Sequence, residues 1–168
     1  MFASRSALPK LYYAIFGLYE PLLTTVGLLG TLVDPEKTHN QQAPWPKHSQ
    51  PPHELPLASI VTIVQLAHVC AIVGLVNLFL LAAARKYLAA QPALQEKIVG
   101  ALLTPLLIGD IAHLALTLWA LGEHRWRFSE WSGMLWTTVL LGLTLMVPRM
   151  TWHMGIGRYM EKRDGKVL

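Results

Sequence analysis

Two carboxylic acids stand in stretches of the chain that otherwise carry almost no charge: Glu20 between Leu11 and Val33, and Asp110 between Ile98 and Leu121. At 1.5 Å rise per residue, Glu20 lies about 14 Å into its helix and Asp110 about 18 Å into its own. Gln65 and His68 belong to a stretch running the opposite way and fall roughly 12–17 Å from the other face. The four groups converge on one slab, and His113 shares a helix face with Asp110. An isolated carboxylate at such depth costs at least ~2.5–3.5 kcal/mol. These side chains are therefore expected to face the bundle interior, paired or protonated. Two acids, a histidine and an amide at one depth read as a site for proton transfer. The competing reading is a hydrogen-bonded network that only pins helices together, and it is the preferred one for Asn77.

The chemistry such a set supports is the protonation of an alkene or an epoxide. That step needs an acid kept neutral until it is used and a second carboxyl group to take the last proton. The carbocation between those steps must be shielded from water and faced by π systems, a role open to Tyr19, Trp119 and Trp136. Glu20, beside Pro21 and without a histidine one turn away, is expected to be the neutral donor. Asp110, with His113 at i+3, is expected to be the ionised partner. The sequence has no Gly-rich phosphate loop, no GxSxG elbow and no Cys-based metal spacing. No cofactor or metal is expected. The single cysteine, Cys70, reads as a small apolar residue within a span.

The elements that must position these residues follow from composition. Of 168 residues, 53% are hydrophobic and 14% charged, against about 25% charged in soluble domains, and the mean hydropathy is +0.39. Four apolar stretches, 11–33, 57–84, 98–121 and 131–150, are each long enough for a bilayer core of ~30 Å. They are too long and too unalternating for barrel strands. The expectation is an all-α integral membrane four-helix bundle, one domain over residues 1–168, in which Pro21 and Pro105 locally break the hydrogen-bond ladder.

The net charge of +4 and pI of about 9.4 do not point to nucleic acid, because the charges sit between and after the apolar segments. Ten of the 14 lysines and arginines fall in the N-terminal segment, the loop 85–97 and the tail from Arg149. Both termini are thereby expected in the cytosol, with the basic tail 158–166 touching anionic lipid. The loop 34–56, rich in proline and histidine (His48 and His53 among them), is expected to form an extended lumenal flap. Trp119, Trp126 and Trp131 are expected at that interface.

The segments Tyr19-Glu20-Pro21, Gln65-Leu66-Ala67-His68, Asp110-Ile111-Ala112-His113-Leu114 and Glu130-Trp131 resemble a family of small fungal four-helix membrane proteins. That family includes the membrane-bound terpene cyclases of the ascofuranone and macrophorin type, and the resemblance covers roughly residues 9–158. It implies an endoplasmic-reticulum enzyme that cyclises a prenyl chain attached to a ring, with a lipophilic prenylated substrate, contact with membrane lipid and association with other membrane enzymes of the pathway. Carried over by position, Glu20 and Asp110 become the catalytic acids. Gln65, His113 and Glu130 become supporting groups, and His68 stands where the pattern has asparagine. Two other functions fit the buried acids: a sterol-isomerase-like proton-transfer enzyme, and a non-catalytic lipid-binding or assembly protein.

Overall fold

The structure is a computed structural model that describes residues 6–45 and 50–165. Arg5, Pro46, Lys47, His48 and Lys166 lie outside the described residues. Among those described, every regular element is helical. Four helices are long and apolar enough to cross a membrane: α1 (Lys10–Val33), α2 (Leu57–Tyr87), α3 (Pro92–Ala120) and α4 (Gly133–His153). Large apolar side chains such as Leu22, Leu66, Phe79, Ile108 and Leu116 are exposed on their outer faces. This is the make-up of an integral membrane protein, in which backbone groups must be satisfied within each helix while side chains are left to lipid.

Two connections differ from expectation. The loop placed at 85–97 shrinks to residues 88–91, because Arg85 and Lys86 lie in the last turn of α2 and α3 begins at Pro92. A helix of 31 residues is about 46 Å long, so it carries its terminal charges beyond a ~30 Å core without unwinding. The flap is not wholly extended either. Asp34 caps a short helix, Pro35–Asn40, by accepting the Lys37 N–H at 2.8 Å, the pattern of a carboxylate cap followed by proline at the first helical position. Further on, Gln41 accepts a hydrogen bond from Ser132, the cap of α4, at 2.5 Å. The flap is thus tied to the start of the last helix.

The helices pack as two pairs, α1 on α2 and α3 on α4. The first pair is drawn together at Gly74. A Cβ there would collide with Thr24 Oγ1 and lie 3.0 Å from the Pro21 Cα. The pairs join at the end that carries the termini, around Leu8, Tyr12, Phe16, Leu81, Val99, Leu103 and Trp152. A smaller cluster of Leu121, Trp131 and Leu135 links α3 and α4 at the flap end. Between these clusters the pairs part: α3 buries nothing beyond Leu103, and α4 buries nothing between Leu135 and Arg149.

The terminal end is sealed by polar contacts. Gln95 Oε1 accepts from Ser6 Oγ and from the Ala7 and Leu8 N–H groups, while its Nε2 donates to the Ala84 carbonyl. Trp152 Nε1 donates to the Ala7 carbonyl at 2.8 Å. Helix α4 ends at Gly155, whose φ of 74° closes a Schellman-type turn in which Ile156 N–H reaches the Thr151 carbonyl. The tail then folds back. Arg158, expected on lipid, is buried: it binds Glu96 at 2.7 Å and lies 3.9 Å over the Trp152 ring. The hydrogen bond from Tyr159 to Glu161 pushes the phenol up to about 12, and Arg163 holds the Asp164 carboxyl down to about 2.

Two predictions follow from these contacts. Gly74→Ala should destabilise the protein by about 1–3 kcal/mol through overpacking in detergent unfolding, whereas Gly30→Ala, with open space at its Cβ, should change little. In the tail, Tyr159 is raised, so its contribution to docking is complete below the ordinary tyrosine value of about 10 and fades as pH rises through about 12. Asp164 is lowered, so its share is complete above about 3.9 and fades as pH falls through about 2. The tyrosinate absorbance step that Tyr159→Phe removes should lie near pH 12, and Glu161→Gln should return it toward about 10.

Candidate active site

Where the two helix pairs begin to part, three charged side chains from three helices meet. Arg149 of α4 donates through Nη2 to Glu20 Oε1 at 2.5 Å and through Nη1 to Asp110 Oδ2. The Arg149 side chain is 1% exposed, that of Glu20 6% and that of Asp110 16%. The guanidinium fork suits this arrangement, because its two ends lie in one plane and bind two carboxylates that a compact ammonium could not reach together. The Phe16 ring lies 5.4 Å from the guanidinium carbon.

Local sequence explains why each group projects as it does. Pro21 has no N–H for the Gly17 carbonyl, and its ring would crowd that turn of an α-helix. The chain answers with a wide π-helical turn over Ala14–Tyr19, in which Glu20 N–H donates to the Ile15 carbonyl five residues back. Such wide turns often mark functional positions, and this one directs Glu20 inward. Pro148 likewise sits inside α4 immediately before Arg149. Tyr19 crosses between the helix pairs at the same level, its hydroxyl 3.2 Å from Thr144 Oγ1.

Of the residues expected in the site, Glu20, Asp110 and Tyr19 are at or beside this junction. His113 is exposed but near enough to act electrostatically on Asp110. The strong partner of Asp110 is Arg149, not His113, since the guanidinium makes a direct hydrogen bond. Gln65 and His68 are exposed and, among the described residues, make no hydrogen bond to either acid. Glu130 is engaged near the flap end by His124 at 3.1 Å and Arg127 at 3.7 Å. Trp136 packs there on Trp131 and Phe128, about 20 Å along α4 from Arg149. Trp119 is 74% exposed and about 14 Å along α3 from Asp110. Of the expected belt, Trp126 is exposed as well, but Trp131 is buried and donates to the His124 carbonyl. Among the described residues no group of three or more His, Cys, Asp and Glu side chains is arranged for a metal ion.

Two members of the site went unread in the sequence. Arg149 counts there as a flanking charge at the end of a span; yet apolar Met150, Trp152 and Met154 follow it, the signal that the helix continues around it. Asn77 reads as interhelical glue but is fully buried next to Glu20.

The chain belongs to the DUF7704 family, a domain of unknown function, which matches it over residues 5–159. No curated protein and no solved structure gives a significant match.

Removing the cation leaves two buried acids facing one another, a change that typically costs about 3–5 kcal/mol. Arg149→Leu is therefore expected to lower stability by that order in detergent unfolding. Replacing Glu20, Asp110 and Arg149 together by leucine should recover most of the loss, because the charges then disappear with their partners.

Proposed function

We propose that this member of the family is a membrane-bound acid catalyst, a terpene cyclase that protonates an epoxide or terminal alkene of a prenylated phenol-type substrate. The observation that carries this reading is the convergence of two carboxyl groups on one buried guanidinium inside an apolar bundle. One positive charge against two acids balances when a single proton is left on the pair, since a net charge at this depth is costly. The protein thus stores one acid proton out of reach of bulk water, which is what starting a carbocation cascade requires.

The geometry favours a division of labour opposite to that expected from sequence. Both oxygens of Glu20 are sealed in the protein, and Oε2 has no hydrogen bond. Asp110 is the more open of the two and lies on the stretch of α3 that faces no protein core. A proton donor must touch its substrate, so Asp110 carries the proton and delivers it. Glu20 stays ionised as the counter-charge of Arg149. When Asp110 gives up its proton, the Arg149 hydrogen bond already on Oδ2 stabilises the carboxylate that forms. That carboxylate lies close to the developing cation and takes back the final proton. Tyr19 supplies a π face at this level, in place of Trp119 and Trp136, while the buried Phe16 ring faces the Arg149 guanidinium.

The remaining charge bias keeps both termini in the cytosol. Arg149 and Arg158 are spent inside the protein, but Lys10, Arg85, Lys86, Lys97, Lys162 and Arg163 still outnumber Lys37, Arg125 and Arg127. The membrane is proposed to be that of the endoplasmic reticulum. A lipophilic substrate reaches the site sideways from the bilayer, without a cofactor, and neighbouring enzymes of the pathway supply it.

A second reading is favoured by one observation: both acids are already bound by Arg149, as a purely structural lock would require. In that case the triple leucine variant should keep whatever role the protein has. For the catalyst, microsomes containing the protein should convert an epoxidised farnesyl-phenol to a cyclic product. Asp110→Asn should lower turnover by about 10²–10⁴-fold. Absence of cyclic product across several such substrates, in a preparation where a known cyclase turns over, would sink the proposal. An active Asp110→Asn beside a dead Glu20→Gln would restore Glu20 as the donor.

A further inference from the structure

Asn77 is fully buried in α2, one turn beyond the Gly74 contact that draws α1 and α2 together. Its side chain is close enough to Glu20 to bear on that carboxylate, yet neither Nδ2 nor Oδ1 has a hydrogen-bond partner in the structure. Glu20 Oε2 is in the same position, buried and without a hydrogen-bond partner, while Oε1 is taken by Arg149. The Thr24 hydroxyl on α1 is occupied by the Glu20 and Pro21 carbonyls, and that of Tyr19 lies against Thr144 Oγ1. A buried amide with unsatisfied ends costs stability that an apolar side chain of its size would not. Packing alone therefore gives no reason for an asparagine here.

We infer that Asn77 is a positioning residue: a small turn of its amide pairs the two unpartnered groups, Nδ2 donating to Glu20 Oε2, which holds the negative charge on Glu20 and leaves the single shared proton on Asp110. The inference rests on the acid-catalysis reading for its catalytic meaning. Arg149 gives each acid one hydrogen bond, so it does not by itself decide which acid keeps the proton. Burial by itself would leave it on the more enclosed Glu20, so its placement on Asp110 falls to the remaining oxygens. That of Glu20 is enclosed beside an amide donor, and a donor on a carboxylate favours its ionised form. That of Asp110 is open toward the parting helices, where the proton is of use.

Infrared spectroscopy of the full-length protein in lipid nanodiscs tests this without requiring turnover. The wild-type protein should show a protonated-carboxyl band that shifts when aspartate is carbon-labelled and that disappears in Asp110→Asn. In Asn77→Leu and in Asn77→Ala, which lose the amide but change volume in opposite directions, a protonated-carboxyl band should remain and no longer respond to the aspartate label, because the proton has moved to Glu20. A label-sensitive band persisting in both Asn77 variants overturns the inference. So does a wild-type band that ignores the label, or no band at all. The two claims fail separately. Cyclisation by a protein whose band is unmoved by Asn77→Leu removes only the role of Asn77. A band that moves as expected in a protein that turns over no prenylated substrate removes only the cyclase.

Discussion

The arginine at position 149 is a full positive charge placed where neither water nor a lipid headgroup can solvate it, and the rest of the bundle is arranged around that fact. A charge so placed survives only if opposite charge is brought to it with good geometry. Glu20 comes from α1, Asp110 from α3, and Arg149 itself from α4, so three of the four long helices are committed to one point. The fourth, α2, contributes Asn77 beside Glu20. The helix pairs separate on the flap side of this junction and close on the terminal side. The ion triad is thus the hinge of the packing as well as its most costly feature.

The surrounding sequence makes that junction possible through backbone irregularity. Proline next to Glu20 forces a wide turn in α1, and proline next to Arg149 interrupts the ladder of α4. In α1 the charged residue thus sits where the helix departs from regular spacing, whereas α4 stays α-helical through Pro148 and Arg149. Gly74 then lets α1 approach α2 until any Cβ would collide with Pro21 and Thr24, which encloses Glu20. The sealing of the terminal end by Gln95, Trp152 and the Arg158–Glu96 pair adds rigidity behind the site, since Gln95 ties the chain before α1 to α3 and Glu96 ties the chain after α4 to it.

The spans were legible in the sequence because lipid imposes a plain requirement: about 20 apolar residues per crossing. The charged ends of those spans were harder to place. Arg85, Lys86, Glu96 and Lys97 look like a loop on composition, and only the length of α2 and the early start of α3 show that they ride on helices. Within the site, the acids could be read because an uncompensated carboxylate at mid-span is conspicuous. Their partner could not, because an arginine near the end of an apolar run has the appearance of an orientation signal. Two buried acids call for a cation, and Arg149 has apolar residues on both sides, Leu145-Met146-Val147 before it and Met150, Trp152 and Met154 after it. Depth counting also grouped Gln65 and His68 with the acids, but depth does not determine which face of a helix a residue occupies, and both are exposed.

The difference between the two acids is written in packing density more than in residue type. Glutamate at position 20 is enclosed because α1 lies tightly on α2, with Gly74 removing the last side chain between them. Aspartate at position 110 is more open because no residue of α3 past Leu103 is buried, and its shorter side chain keeps the carboxyl near its own helix. The same guanidinium therefore joins one acid held in the protein interior to another that is partly exposed. Enclosing the second acid as fully as the first would add to the desolvation cost of a triad that is already the most expensive feature of the bundle. The asymmetry is what a site would need in order to keep its charge in one place and offer its proton in another.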